Sequence, residues 1–158
     1  MKIIYASKYG ATKKGAELLK AKLGESATLC DLSSDEVDLQ NEDTVVIGSG
    51  IYAGRLHGEV KRFCEQNKES LLNKKLGLYV CCRATGDEGW KQFDNAYPKE
   101  LREHATAKGL FGYVLCFDEM SFLVRKFIQM ITKTKQNETK IYEENIVEFA
   151  EKIKKMSN

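Results

Sequence analysis

The chain alternates between two kinds of apolar pattern. Short, nearly continuous apolar runs such as 3–5, 45–47 and 113–117 have the length and composition of strands that are buried on both faces. Longer stretches between them, such as 11–23, carry apolar residues at helical spacing. This alternation predicts consecutive β-α-β units, and therefore an α/β fold in which a parallel sheet has helices on both faces.

Five strands are predicted from the apolar runs. We place them at residues 2–6, 27–32, 44–48, 75–81 and 111–117. The expected arrangement is a three-layer sandwich with the strand order 2-1-3-4-5. Because 158 residues with 42% hydrophobic content suit one compact core, we expect residues 1–158 to form a single domain.

The helical stretches contain start and stop signals. Thr12 is expected to cap the first helix, and Gly24 is expected to end it. A second helix is expected from about His57, and a third from about Pro98, a residue suited to a first helical turn. The apolar positions predicted to be buried in the second and last helices are Val60, Phe63, Cys64, Ile146, Phe149, Ala150 and Ile153.

Residues 121–134 form an additional element that a five-strand plan does not need. Its apolar residues alternate with Arg125, Lys126 and Lys133, a pattern that predicts a basic amphipathic helix. Packing of this helix on the sheet is the favoured interpretation, and docking on a membrane surface is the alternative. Apolar residues on more than one of its sides suggest a second contact, such as a homodimer partner or lipid.

Charge and cysteine content exclude several classes of protein. With 25 basic and 23 acidic residues, the chain is too balanced for nucleic acid to be a predicted partner. Five cysteines without a Cys-x-x-Cys pair favour neither a disulfide framework nor a metal site. Cys81 and Cys82 are expected to be buried thiols on opposite faces of a strand.

The sequence contains no apolar stretch of signal-peptide or membrane-span length. We therefore expect a cytoplasmic protein, at most peripheral to the inner face of the membrane.

A first loop rich in hydroxyl groups follows the first predicted strand and leads directly into a helix. It reads Ser7-Lys8-Tyr9-Gly10-Ala11-Thr12. Backbone N–H groups at the helix N-terminus converge on one point, to which the Ser7 and Thr12 hydroxyls add donors and Lys8 adds charge. The loop therefore suits a phosphate, although taken alone it is also compatible with a plain cap and turn.

A second loop follows the third predicted strand and contains several glycines. It reads Gly48-Ser49-Gly50-Ile51-Tyr52-Ala53-Gly54-Arg55. In the expected strand order, both loops lie at the point where open parallel sheets bind ligands. Tyr52 can stack on a flat heterocycle, whereas the alternative is a plain connector with a surface tyrosine.

These two loops resemble those of the flavodoxin family, and more narrowly those of the branch that contains menaquinone-dependent protoporphyrinogen oxidases. The narrower resemblance is carried by residues 7–12, by 46–57 continuing into Phe63, and by the extra segment at 127–131. It implies a flavodoxin-like fold that binds FMN. The implied phosphate ligands are Ser7, Tyr9, Gly10, Ala11 and Thr12, and the implied neighbours of the isoalloxazine ring are Ser49, Gly50, Ile51, Tyr52, Ala53 and Gly54.

The resemblance also implies a third loop beside the flavin, formed by Arg83, Ala84, Thr85 and Gly86. This loop lacks the tyrosine with which many flavodoxins stack the outer flavin face. Either Trp90 stands in for that tyrosine, or the face is open to a substrate. Trp90, Phe93 and Tyr97 line such a pocket in one interpretation and simply begin a helical core contact in the other.

No residue is assigned a catalytic role on strong grounds. Arg55 and Arg83 are weak candidates for pairing with a substrate carboxylate or with negative charge on the reduced flavin, and solvent exposure is the alternative for each. His57 is a candidate for contact with the flavin edge or for proton donation, and a surface histidine in a first helical turn is the alternative.

The predicted function is electron transfer by an FMN-dependent protein, either a small oxidoreductase or a carrier. Near-neutral charge and an open flavin face favour the oxidoreductase, while protoporphyrinogen oxidation is implied by the resemblance only. The predicted partners are a redox protein, a quinone or a small-molecule substrate. The alternative is a flavodoxin-fold binding or signalling module that has lost flavin. A receiver domain is disfavoured because no acidic cluster ends the first and third strands.

Overall fold

The computed structural model describes residues 1–157, in which eight strands are defined. They are β1 (Lys2–Ala6), β2 (Thr28–Asp31), β3 (Thr44–Tyr52), β4 (Arg55–Leu56), β5 (Lys75–Cys81), β6 (Ala107–Leu110), β7 (Gly112–Leu115) and β8 (Glu138–Ile141). Five of them run parallel in the order β2-β1-β3-β5-β6, and β4 is added antiparallel to β3. The predicted order 2-1-3-4-5 of the parallel strands is confirmed.

Seven α-helices and a short 3-10 turn connect these strands. The helices are α1 (Ala11–Leu23), α2 (Gly58–Gln66), α3 (Lys68–Leu72), α4 (Gly86–Ala96), α5 (Lys99–His104), α6 (Phe122–Thr132) and α7 (Glu143–Ser157), and the turn is Phe117–Glu119. Gly24 ends α1 as predicted, with a φ of 88°. The prediction that Thr12 caps α1 is wrong, because the N-cap residue is Gly10 and the Thr12 side chain is buried inside the first turn.

Helices cover both faces of the sheet and divide the core into two layers. One layer joins the sheet to α2, α3, α4 and α5, and the other joins it to α1 and α7. Cys82 belongs to the first layer and Cys81 to the second, so the predicted placement of the two thiols on opposite faces is confirmed. Both thiols are buried.

The prediction of the last sheet strand at 111–117 is wrong. The strand beside β5 is β6, whose small residues were not recognised as strand-forming. They are small for a packing reason, since a Cβ at Gly109 would lie 3.0 Å from the Phe149 ring. The apolar run after Phe111 leaves the sheet at Gly112, which has a φ of 97°, and β7 pairs antiparallel with β8 instead.

The chain from β7 to β8 forms an excursion from the sandwich and contains α6. The predicted helix at 121–134 is thereby confirmed. Its favoured packing on the sheet is wrong, because none of the residues of α6 is buried. No helix within residues 1–157 is both long enough and apolar enough to cross a membrane.

Candidate cofactor site

The first loop places the N-terminus of the 13-residue helix α1 at the carboxyl end of β1. Gly10 takes a φ of 82°, which a residue with a side chain rarely adopts. The first turn of α1 contains no acidic residue, and the opening N–H groups of a helix have no acceptor within it. This corner is therefore suited to an anion.

Two hydroxyl groups at this corner are buried and unpaired. Ser7 Oγ and Thr12 Oγ1 have no hydrogen-bond partner in the described part of the chain. Thr12 is fully buried, and its hydroxyl faces the Cys81 thiol, a weak hydrogen-bonding group whose pKa this contact lowers against a larger rise from burial. An unpaired buried hydroxyl costs about 1–3 kcal/mol of folding free energy. The oxygens of a phosphate can accept a hydrogen bond from each of these two hydroxyls.

The second loop is a hairpin rather than a free loop. We predicted that the third strand ends at Gly48, but β3 continues to Tyr52 because the chain turns back as β4 and pairs with it. The turn residues Ala53 and Gly54 have φ values of 49° and 76°, and two consecutive positive values are typical of a type I′ hairpin turn. The edges of this loop are therefore fixed by backbone hydrogen bonds.

Ser49 braces the hairpin from inside. It is fully buried, and its Oγ donates to the Gly50 carbonyl and accepts from the His57 N–H, each at 2.9 Å. Its hydroxyl is thus used within the protein, in contrast to the hydroxyls of the first loop.

Tyr52 connects the second loop to the first. Its Oη accepts a hydrogen bond from the Lys8 N–H at 3.1 Å, and its ring lies edge-on between those of Tyr9 and His57. A Cβ at position 50 would lie 2.6 Å from the Tyr52 hydroxyl, so this ring position requires Gly50. Burial raises the pKa of Tyr52, which keeps its hydroxyl protonated.

Arg83 of the third loop reaches the excursion that contains α6. Its guanidinium donates to the Thr132 carbonyl at 3.4 Å, lies 3.8 Å from the Glu138 carboxylate, and sits over the Tyr113 ring. The residues that follow, Ala84, Thr85 and Gly86, border a neighbouring groove with Tyr142.

The three loops enclose a cavity of about 190 Å³. Tyr9 and Ala11 contribute from the first loop, residues 50–52 from the second, and Arg83 from the third. The outer wall is a set that sequence reasoning did not assign to the site, namely Tyr113, Met120, Ile128 and Thr132. Helical periodicity in the sequence predicted α6, but periodicity does not indicate which surface a helix covers.

Several predicted residues lie outside this cavity. The Arg55 side chain is exposed on β4. His57 precedes α2 beside the Tyr52 ring, and its Nδ1 is 3.7 Å from the Glu59 carboxylate. Ser7, Lys8, Gly10 and Thr12 belong to the adjacent anion corner, and Ala53 and Gly54 form the hairpin turn.

The aromatic residues at 90, 93 and 97 do not line the cavity between the three loops. Phe93 and Tyr97 are buried in the core, and the Tyr97 hydroxyl lies 3.1 and 2.9 Å from the carbonyl oxygens of Ile47 and Tyr79. Trp90 remains 41% exposed and lies beside β6 and α7. The core-contact interpretation is confirmed for Phe93 and Tyr97.

The thiols of Cys81 and Cys82 line the cavity but are not reactive nucleophiles. Burial raises the pKa of Cys82 to about 11 and raises that of Cys81 further. Both thiols are therefore protonated at neutral pH, and a protonated thiol is a poor nucleophile. Within residues 1–157, no cluster of three or more His, Cys, Asp or Glu side chains could hold a metal ion.

Similarity to known proteins identifies the family of this chain. The sequence profile of the flavodoxin domain matches residues 2–141. The chain belongs to the flavodoxin-domain family. It is 27% identical over 161 residues to a flavodoxin of Clostridium beijerinckii, covering 97% of this chain and 98% of that protein. It is also 28% identical over 146 residues to an uncharacterized protein of Methanocaldococcus jannaschii, covering 91% of this chain and 90% of the relative.

A solved structure supports the same fold assignment. The chain resembles a short-chain flavodoxin associated with a PDU bacterial microcompartment, with a TM-score of 0.62 and 16% identity. The similarity covers 99% of this chain and 97% of that structure. At this level of identity it supports the α/β flavodoxin-like architecture alone.

Proposed function

We propose that this flavodoxin-domain protein binds FMN and serves as an electron carrier. The observation that carries the proposal is the pair of buried, unpaired hydroxyls, Ser7 Oγ and Thr12 Oγ1, at the N-terminus of α1. A phosphate monoester supplies acceptor oxygens for both hydroxyls and for the free N–H groups of the helix. The family relationship points to FMN as the phosphate-bearing ligand.

The proposed FMN site uses residues from all three loops. Ser7, Tyr9, Gly10, Ala11 and Thr12 hold the phosphate, with Lys8 at the rim. The second and third loops flank the ring, through residues 49–54 and 83–86. When bound, FMN supplies one- and two-electron chemistry, while the chain supplies binding, orientation and exclusion of water.

The cavity at the ring end of the site is small. A cavity of about 190 Å³ is smaller than typical small-molecule sites of roughly 300–1,000 Å³. Binding of the ring therefore requires an outward shift of Met120, Ile128 and Thr132. Because α6 buries none of its residues, such a shift breaks few apolar contacts.

The cover formed by α6 favours a carrier over an oxidoreductase. An oxidoreductase must admit a flat substrate beside the ring, but Phe93 and Tyr97 are buried in the core and Trp90 lies beside β6 and α7, away from the cavity between the loops. Oxidation of protoporphyrinogen is retained as the second candidate. It rests on the sequence resemblance, since the relatives described above are flavodoxins or uncharacterized.

Titration of the purified protein with FMN, followed by visible absorption, tests the phosphate assignment. We expect saturable binding that weakens by about 10- to 150-fold in Thr12→Val, which removes a donor to a charged group and preserves shape. Thr28→Val is the matched control, because Thr28 is exposed on β2, and it should leave affinity unchanged. Equal affinity of Thr12→Val and wild type would refute the assignment, and absence of binding would favour the flavin-free module.

The carrier and oxidoreductase roles differ in a second assay. With FMN bound and menadione as acceptor, formation of fluorescent protoporphyrin from protoporphyrinogen is compared with the rate given by free FMN. A carrier should not exceed free FMN in this assay, and after reduction it should pass electrons to cytochrome c faster than free FMN does. Saturable acceleration of protoporphyrin formation would instead establish the oxidoreductase.

A further inference from the structure

The outward side of α6 is an apolar surface that nothing in residues 1–157 covers. We call it the α6 outer face, and its members are 55–78% exposed: Phe122, Leu123, Phe127, Met130 and Ile131. At 100° per residue, Leu123, Phe127, Met130 and Ile131 fall within one arc of about 100°. Large apolar side chains grouped in this way on a surface mark a binding face.

Basic side chains flank the α6 outer face, with Lys126 beside its arc and Arg125 on the far side of the helix, and no acidic side chain lies among them. Residues 121–135 contain Arg125, Lys126, Lys133 and Lys135 but no Asp or Glu. Since the whole chain has a formal charge of only +2, the remainder is net negative, and the positive charge is concentrated here. Lys126 Nζ lies 5.0 Å from the centre of the Phe122 ring, so charge and apolar surface are adjacent.

We propose that the α6 outer face docks on the surface of an anionic lipid bilayer. A helix with an apolar arc and flanking Lys or Arg lies in the interfacial plane, where its apolar side enters the headgroup boundary and its cations meet lipid phosphates. A second copy of this chain is a poorer occupant, because it would bring an equally basic rim against this one.

Docking brings the membrane close to the loops of the candidate cofactor site. Ile128 and Thr132 lie on the inward side of α6 and line the cavity, while the outer face lies on the opposite side of the same helix. One helix thus separates the cavity from the proposed lipid contact. The docking proposal is independent of the cofactor, so a failure of FMN binding would not affect it.

Co-sedimentation of the full chain with lipid vesicles tests the proposal. We expect binding to vesicles of phosphatidylcholine and phosphatidylglycerol, and weak or no binding to phosphatidylcholine alone. Leu123→Ser/Phe127→Ser should reduce the partition coefficient by roughly 100-fold, because two inserted apolar side chains are lost. Lys126→Gln/Lys133→Gln should reduce it by about 30-fold, and added salt should produce a similar loss.

Matched control variants separate this face from general surface effects. Val147→Ser removes an exposed apolar side chain from α7, and Lys20→Gln/Lys22→Gln removes two exposed charges from α1. Both controls should bind vesicles as wild type does. All variants should retain the wild-type circular dichroism spectrum, because the substituted side chains are exposed.

Three outcomes would overturn the proposal. The first is the absence of wild-type binding to anionic vesicles, and the second is binding that the α6 variants retain. The third is a dimer in light scattering that Leu123→Ser/Phe127→Ser dissociates, which would assign the face to a second copy of the chain. As a positive readout of insertion, Phe127→Trp in a Trp90→Phe background should show a blue shift of emission on addition of anionic vesicles.

Discussion

The first loop buries polar groups, whereas the α6 outer face exposes apolar side chains. At the first loop, Ser7 and Thr12 bury hydroxyl groups that have no partner in the described chain. At the α6 outer face, side chains such as Phe127 and Leu123 expose apolar surface. A polar group without a partner and an apolar group without cover each carry a free-energy cost in an isolated protein.

The difference between these two regions indicates what kind of partner each accepts. A buried hydroxyl at a helix N-terminus is satisfied by a small anion that reaches into the fold. An apolar arc with a basic rim is satisfied by an extended surface that stays outside. The two regions also differ in burial, because the first loop is tied to the second by the Lys8–Tyr52 hydrogen bond, whereas none of the residues of α6 is buried.

The largest effect that tests this comparison concerns core and surface phenylalanines. Phe149 is almost fully buried and Phe127 is 55% exposed. We expect Phe149→Ala to lower the free energy of unfolding by about 3–5 kcal/mol, and Phe127→Ala to change it by about 0.5 kcal/mol or less. Urea denaturation measures both values. A large loss for Phe127→Ala would mean that α6 packs within the isolated chain and that its outer face is not free.

An effect of opposite sign is expected at the first loop. In phosphate-free buffer without FMN, Thr12→Val should raise the free energy of unfolding by about 1–3 kcal/mol, because it removes an unpaired buried hydroxyl. Thr28→Val, on the exposed face of β2, should change it little. If the Thr12 variant is instead less stable than wild type, the hydroxyl has a partner within the protein and is not available to an anion.

The smallest effect concerns Arg83, which connects the third loop to the excursion that contains α6. Its pairing with Glu138 is half exposed, so Arg83→Gln should cost less than about 1 kcal/mol of global stability. Hydrogen exchange of the α6 amides should nevertheless become faster, because the contact with the Thr132 carbonyl is lost. Lys68→Gln breaks the similarly exposed pair with Glu100 and is the matched control. Unchanged exchange in Arg83→Gln would show that Arg83 does not hold α6 in place.

The sequence predicted the elements that are governed by local chemistry. Continuous apolar runs identified β1, β3 and β5 because strands buried on both faces require them. Glycine at position 24 identified the end of α1 because the chain takes a positive φ there, which glycine adopts without strain. The loop at 7–12 was identified because a phosphate corner depends on a strand, a tight turn and a helix start that are contiguous in the chain.

The errors occurred where distant residues determine the local structure. β6 was missed because its small residues reflect the aromatic rings packed against it, among them Phe149. The third strand was ended too early because its glycines at 48 and 50 indicated a loop, whereas Gly48 lies within β3 and leaves room for the ring of the distant Tyr79. Trp90 and Tyr97 have the same apolar character in sequence, yet one is exposed and the other is buried with its hydroxyl between two carbonyl groups.

The sequence by itself therefore determined the α/β architecture and the composition of the three loops, because each is set by periodicity or by short contiguous motifs, and its resemblance to the flavodoxin family implied the order of the parallel strands. Only the tertiary structure decided that Arg83 contacts the excursion, that Ser49 braces a hairpin, and that α6 closes the cavity with one side while exposing the other. These features depend on which surfaces meet across the fold, and hydrophobic patterning shows that a face is apolar without specifying what it contacts.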